Sequence, residues 1–142
     1  QIVQTDDYVM IMVEMAHDAR IIPIDKDHRP DAWKPWLGDS VAHWDGDVLV
    51  VETRNLHPQQ APRNVAALSD EGVVVERFSR FSDEQVLYEF EVRDPIFYTE
   101  AWSGEMAFNT TDTQPYEYAC HEGNYGLPGI LAGARRLEMD EE

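Results

Sequence analysis

Along most of the chain, apolar residues alternate with polar ones or fill short runs, and turn-forming residues punctuate them. That is the pattern of strands joined by tight connections. It predicts strands over residues 8–15 and 19–24, with His17 and Asp18 near the bend. Residues 25–38, with Pro23, Pro30 and Pro35 in and around them, cannot hold regular structure and predict a long loop. Its Trp33 and Trp36 are expected to pack on something, since tryptophan is costly to leave wet. Strands 40–44 and 48–55 flank Asp45-Gly46, the pair that suits a type I′ hairpin turn. Residues 56–72 are Pro- and Gln-rich, with a helical turn near 65–68. Strands 73–81 and 85–93 form a hairpin across 82–84. Asp94-Pro95 ends it, because proline restricts the preceding residue and has no amide to give. Strands 98–110 and 116–121 make a third pair. Residues 127–138, opened by Pro128 near the first turn, read as a short helix.

Eight antiparallel strands in sequential hairpins define an all-β fold, and a chain of 142 residues fits one domain over 1–142. A lipocalin-like up-and-down barrel closes such a series most economically, because closure removes exposed edges; a two-sheet sandwich is the alternative. Strand 8–15 is apolar on both faces: Val9, Ile11 and Val13 on one, Tyr8, Met10 and Met12 on the other. A half-wet strand would alternate, so a loop, the helix or a second subunit is expected to cover part of the outer surface.

Charge narrows the partners. With 28 Asp and Glu against 11 Lys and Arg, the net charge is −17. That field repels a phosphate backbone and an anionic membrane surface, so nucleic acid is not expected as a partner; a small molecule is, because a barrel of this size has interior for one small ligand. No apolar run reaches the ~20 residues of a membrane span. Cys120 is the single cysteine, which rules out an intrachain disulfide and a CxxC zinc cluster. No cofactor fingerprint is present: GxGxxG, P-loop and GxSxG patterns are all missing.

Polar candidates fall in three clusters: 17–20, 43–52 and 116–125. Strand alternation places His121 on one face with Glu117, and Glu122 on the other with Cys120, Tyr116 and Tyr118, unless the strand ends before Gly123. Two readings stay open. A metal centre would gather His17, His43 and His121, with Glu122, although no HxH or HExxH spacing supports it. Acid–base chemistry needs only two groups facing one cavity, and Glu52, Glu76 and Glu89 lie in otherwise apolar strands where burial raises a carboxyl pKa. Their structural alternative is pairing with Arg54, Arg77 or Arg80 across strands. Cys120 and His121 diverge as strand neighbours, so Cys120 reads as a core residue. The expected catalytic set is His43, Glu52, Arg77, Tyr98, His121 and Glu122; His17, Arg20, Trp44, Tyr118 and Tyr125 are expected to bind ligand.

Several segments resemble a large family of uncharacterised exported bacterial proteins: QIVQT (1–5), EMAHDARII (14–22), LGDSVAHWDGDVLVVET (37–53), VERF (75–78), Asp94-Pro95 with Tyr98-Thr99, and YEYACHEGNY (116–125). They run in order across nearly the whole chain to Arg136. The resemblance implies an extracytoplasmic setting and a mature or trimmed chain, and brings no activity with it. Residues 25–30, DKDHRP, stand where a DGRPH-like segment is typical, so any role of that histidine is not carried over to His28. Taken together, the sequence predicts a small barrel that binds an apolar or aromatic molecule and acts on it by acid–base chemistry. A non-catalytic binder, a self-assembling subunit and a histidine-ligated metalloenzyme are the alternatives.

Overall fold

The computed structural model describes residues 1–60, 66–116, 118 and 125–140. Three strands, β1 (Ile2–Gln4), β2 (Tyr8–Met12) and β3 (Ala19–Pro23), form one antiparallel sheet in chain order. Five more form a second: β4 (Asp39–Asp45), β5 (Val48–Arg54), β6 (Val73–Arg80), β7 (Gln85–Arg93) and β8 (Trp102–Asn109). Helix α1 (Gly126–Asp140) ends the described chain and is too short to cross a membrane. The mostly-β reading and the sequential strand order hold. Closure into a barrel is not seen among the described residues: β3 and β4 touch through the single bridge Ile24–Ala42, with the Asp25 amide donating to the Ala42 carbonyl at 2.8 Å.

The core lies where one face of each sheet meets the other. Val9, Ile22 and Ile24 from the small sheet cluster with Ala42, Leu49, Val51 and Phe78 from the large one. In β2 and β5 both faces are apolar, and Val50 is buried on the face opposite Leu49 and Val51, so in those strands the period-2 pattern alone does not select the inner face. A second cluster, Leu56, Leu68 and Val92 with Phe90, Tyr98 and Trp102, fills the other end of the large sheet.

Five details depart from the sequence reading. Ile2–Gln4 is a strand, too short for its pattern to show, paired with β2 across the turn where the Thr5 amide donates to the Tyr8 carbonyl. The β4–β5 loop residues are Gly46 and Asp47, and only Gly46 has positive φ (60°), which is the type II′ pattern and not I′. The strand expected from residue 98 starts at Trp102, because Asp94 holds a turn ahead of it. Of the strand expected at 116–121, Tyr116 and Tyr118 are not extended in a sheet and the other residues lie outside the described ones. So does Val65 of the helical turn expected at 65–68; Ala66–Leu68 are not helical.

The Asp94 carboxylate accepts from the amides of Ser69, Ile96 (2.9 Å) and Phe97 (3.1 Å) and from the Ser69 hydroxyl (3.0 Å). Burial opposes its ionisation, but these donors outweigh burial and hold its pKa below the usual carboxylate range. A depressed folded-state pKa stabilises the fold above the unfolded value and is lost as pH falls through the folded one. Asp94→Asn is therefore expected to be less stable than wild type above about pH 5, with the gap closing below about pH 4. Urea melts of both proteins across that range check it; a gap independent of pH contradicts the assignment.

Candidate functional site

The loop over residues 25–38 is laid against the large sheet by polar contacts spread along its length. Asp31 accepts from Asn55 Nδ2 at 3.2 Å, Lys34 Nζ pairs with Asp70 at 2.5 Å, and Trp36 tilts onto His57 at 5.3 Å. Asn55 is buried and sits at φ 55°, a conformation asparagine tolerates better than most residues. The expected tryptophan packing is met only in part: Trp36 touches His57 and Trp33 carries the Arg29 guanidinium 3.9 Å from its ring centroid, but the two rings stay 43% and 44% exposed.

This loop delivers His28 between two carboxylates. Nδ1 lies 2.8 Å from Asp39 Oδ2 and Nε2 lies 3.2 Å from Glu52 Oε1, while the Arg29 amide donates to the same Asp39 oxygen at 2.9 Å. Side-chain exposure runs 7% for Asp39, 9% for His28 and 44% for Glu52. A buried acid therefore orients a buried imidazole whose far nitrogen meets a carboxylate open to solvent. The ring donates to both acids at once only when both of its nitrogens carry a proton. That is the wiring of a positioned proton-transfer group. Gly38 sets Asp39 in place: at φ 79° it approaches β5 so closely that a Cβ would stand 2.7 Å from Thr53 Cγ2 and 3.0 Å from the Arg54 carbonyl oxygen.

Beside it, a cleft of about 320 Å³ opens between the edge strands β3 and β4, lined by Arg20, Asp27, Arg29, Trp33, Asp39 and Ser40 among others. This volume is at the lower end for small-molecule sites. Arg20 reaches from the small sheet into the layer between sheets and grips Glu76 with two bonds of 2.6 and 2.9 Å; the Tyr88 hydroxyl donates to Glu76 at 2.9 Å. Burial works to lower the Arg20 pKa, but the bonds and charge of Glu76 outweigh it and raise it. Burial, and after it the Glu76 charge and bond, hold the Tyr88 phenol well above its ordinary pKa.

Of the expected catalytic set, register puts His43, Glu52 and Arg77 on one face of the large sheet, with Val41 opposite Glu52 and both His43 and Arg77 opposite Val50. His43 and Arg77, two strands apart, are separated by roughly 10 Å. Tyr98 is not with them; it packs edge-on to Trp102 in the second cluster. His121 and Glu122 lie outside the described residues. Among the expected ligand residues, Arg20 lines the cleft, whereas Trp44, Tyr118 and Tyr125 are exposed and His17 sits in the β2–β3 turn at φ 54°. Among the described residues no three His, Cys, Asp or Glu side chains are grouped to hold a metal ion. Of the three candidate acids, buried Glu76 pairs with Arg20 and half-exposed Glu52 with His28, neither with a cross-strand arginine, while Glu89 stands directly opposite Arg77 in the β6–β7 register. His28, Asp39, Arg29 and Trp33 were not singled out by sequence as site residues. The available signal was the loop itself, long, proline-rich and carrying two tryptophans.

Comparisons with protein-family models, curated proteins and solved structures find nothing that matches this chain.

Proposed function

We propose that this protein binds a small aromatic molecule bearing an acidic or hydroxyl group in the cleft between β3 and β4, and moves a proton on it through Asp39, which lines the cleft and is backed by His28 and Glu52. The observation that carries the reading is that Asp39 is at once a wall of the cleft and the acid that orients His28. Trp33 offers a ring face, and Arg29 a cation with no carboxylate partner among the described residues, inside a chain of net charge −17. The extracytoplasmic setting implied by the family resemblance belongs to this reading. A ligand held inside a closed lipocalin-like barrel does not; the support here is a gap between two sheet edges.

The test is a panel of benzoates, phenols and indole acids, screened by calorimetry and then for turnover. Trp33→Ala and Arg29→Ala are each expected to weaken the best binder about 5- to 100-fold, as loss of one stacking or charged contact of ~1–3 kcal/mol does. His28→Gln is expected to leave binding within about twofold and remove turnover, because the imidazole acts on the proton and not on affinity. Binding without turnover in the wild type leaves a pure binding module. Binding that ignores both Trp33→Ala and Arg29→Ala removes the cleft from consideration.

A further inference from the structure

Three of the chain's five methionines, Met10, Met12 and Met15, lie within six residues, and His17 follows two residues on. Met10 and Met12 share one face of β2, rooted about 7 Å apart. Beyond them the chain reverses, closed by the Val13 amide donating to the Asp18 carbonyl at 2.9 Å. Inside that reversal Met15–His17 make a single 3-10 turn. Met12, Met15 and His17 therefore spring from one end of the β2–β3 hairpin, with Met10 one step along the same face. None of the four lines the cleft between β3 and β4. A structural role leaves three features of this turn unexplained. Met15 is 66% exposed, so its thioether is not spent on packing. Ala16 and His17 take φ 56° and 54° in succession, and each left-handed non-glycine residue costs about 1–2 kcal/mol. No side chain repays that cost: Glu14 makes no capping bond, and the His17 ring has no hydrogen-bond partner among the described residues. Backbone strain of this kind persists where a chain is shaped to present side chains for use.

We infer that Met10, Met12, Met15 and His17 hold a soft monovalent cation, Cu(I), at the end of the β2–β3 hairpin. The donors select the ion. A thioether is neutral and polarisable, so it binds Cu(I) well and hard cations poorly, and imidazole suits copper too. A hard cation would need six or so oxygen ligands, as a general rule. The turn offers only the carboxylates of Glu14 and Asp18, and among the described residues no three His, Cys, Asp or Glu side chains are grouped. Reach is sufficient. Met12 and Met15 are three residues apart, at most about 11 Å between Cα atoms, and methionine's three rotatable bonds let the sulfurs converge. A net charge of −17 draws a cation towards the site.

Two titrations of the full chain test this. Cu(I), kept reduced with ascorbate, is added against a chromophoric Cu(I) chelator. Ag(I), which needs no reductant, is added to protein labelled with carbon-13 at the methionine methyls and followed by NMR. One ion per chain is expected, with the methyl signals of Met10, Met12 and Met15 moving together. Met106 and Met139 are internal controls, 49% and 74% exposed, and their signals are expected to stay still. Met15→Leu and His17→Asn are each expected to weaken Cu(I) binding about 10- to 100-fold or more, since losing a ligand costs at least as much as losing a group behind one. Leucine keeps the bulk of methionine, and asparagine tolerates the positive φ, so the far-UV spectrum is expected not to change. Met106→Leu is expected to bind as wild type does. If His17→Asn perturbs the fold, Met15→Leu and the methyl signals decide. Equal movement of all five methyl signals means contact with exposed thioethers in general and overturns the inference. So does Zn(II) displacing the ion at a similar concentration, which means oxygen and imidazole donors. A wild type that takes up no Cu(I) or Ag(I) at micromolar ion overturns it as well.

Discussion

Arg20→Leu is expected to destabilise the protein by about 3–5 kcal/mol, because it strands the buried Glu76 carboxylate without its cation. The lower end is favoured, since the Arg20 side chain keeps 22% of its exposure while Glu76 keeps 7%. At this chain length that is a fall in Tm on the order of 10–20 °C. Tyr88→Phe removes one neutral donor to Glu76 and should cost only about 1–2 kcal/mol. The triple change Arg20→Leu, Glu76→Leu and Tyr88→Phe removes charge, counter-charge and hydroxyl together. It is expected to recover most of the loss, as apolar replacements of buried ion pairs do. Thermal and urea melts of the three proteins decide it. If Arg20→Leu is neutral, Glu76 does not depend on that arginine and the polar layer between the sheets is not a structural unit.

Gly38→Ala is expected to cost about 2–5 kcal/mol and to disturb the contact between Asp39 and His28 at the same time. An L-residue at φ 79° carries about 1–2 kcal/mol of backbone strain. The added methyl meets the Thr53 side chain at 2.7 Å and the Arg54 carbonyl at 3.0 Å, and overpacking of that kind costs about 1–3 kcal/mol more. Only backbone movement relieves the contact with the carbonyl, and the next residue along that backbone is Asp39. The His28 ring signals in NMR are therefore expected to shift along with the loss of stability. Gly46→Ala is the control: its φ is 60° but no atom lies within 4 Å of the added carbon, so it should cost strain alone, about 1–2 kcal/mol, and leave His28 untouched. Equal effects of the two substitutions would mean that Gly38 is needed for its dihedral angle and not for the close approach that seats Asp39.

What the chain determines by itself is the run of strands from β2 to β7 and the tight hairpins among them. The registers of β4 with β5 and of β6 with β7 follow from period-2 patterning and short turns, and a one-residue slip would move Val51 and Phe78 out of the core. The alternation also places His43, Glu52 and Arg77 on a common face, which is legible without coordinates. The closing of the sheets is a different matter. Local pattern fixes neighbours along the chain, and β3 and β4 are separated by a 15-residue connection whose path no periodicity encodes. That path brings His28 to Asp39 and Glu52, 11 and 24 residues away in sequence, and sets Arg20 against Glu76, 56 residues away. Glu52, Glu76 and Arg20 each stood out by residue type. Their partners did not, because a buried charge takes its counter-charge from whichever element packs over it, and packing between layers is decided only when the whole chain is folded.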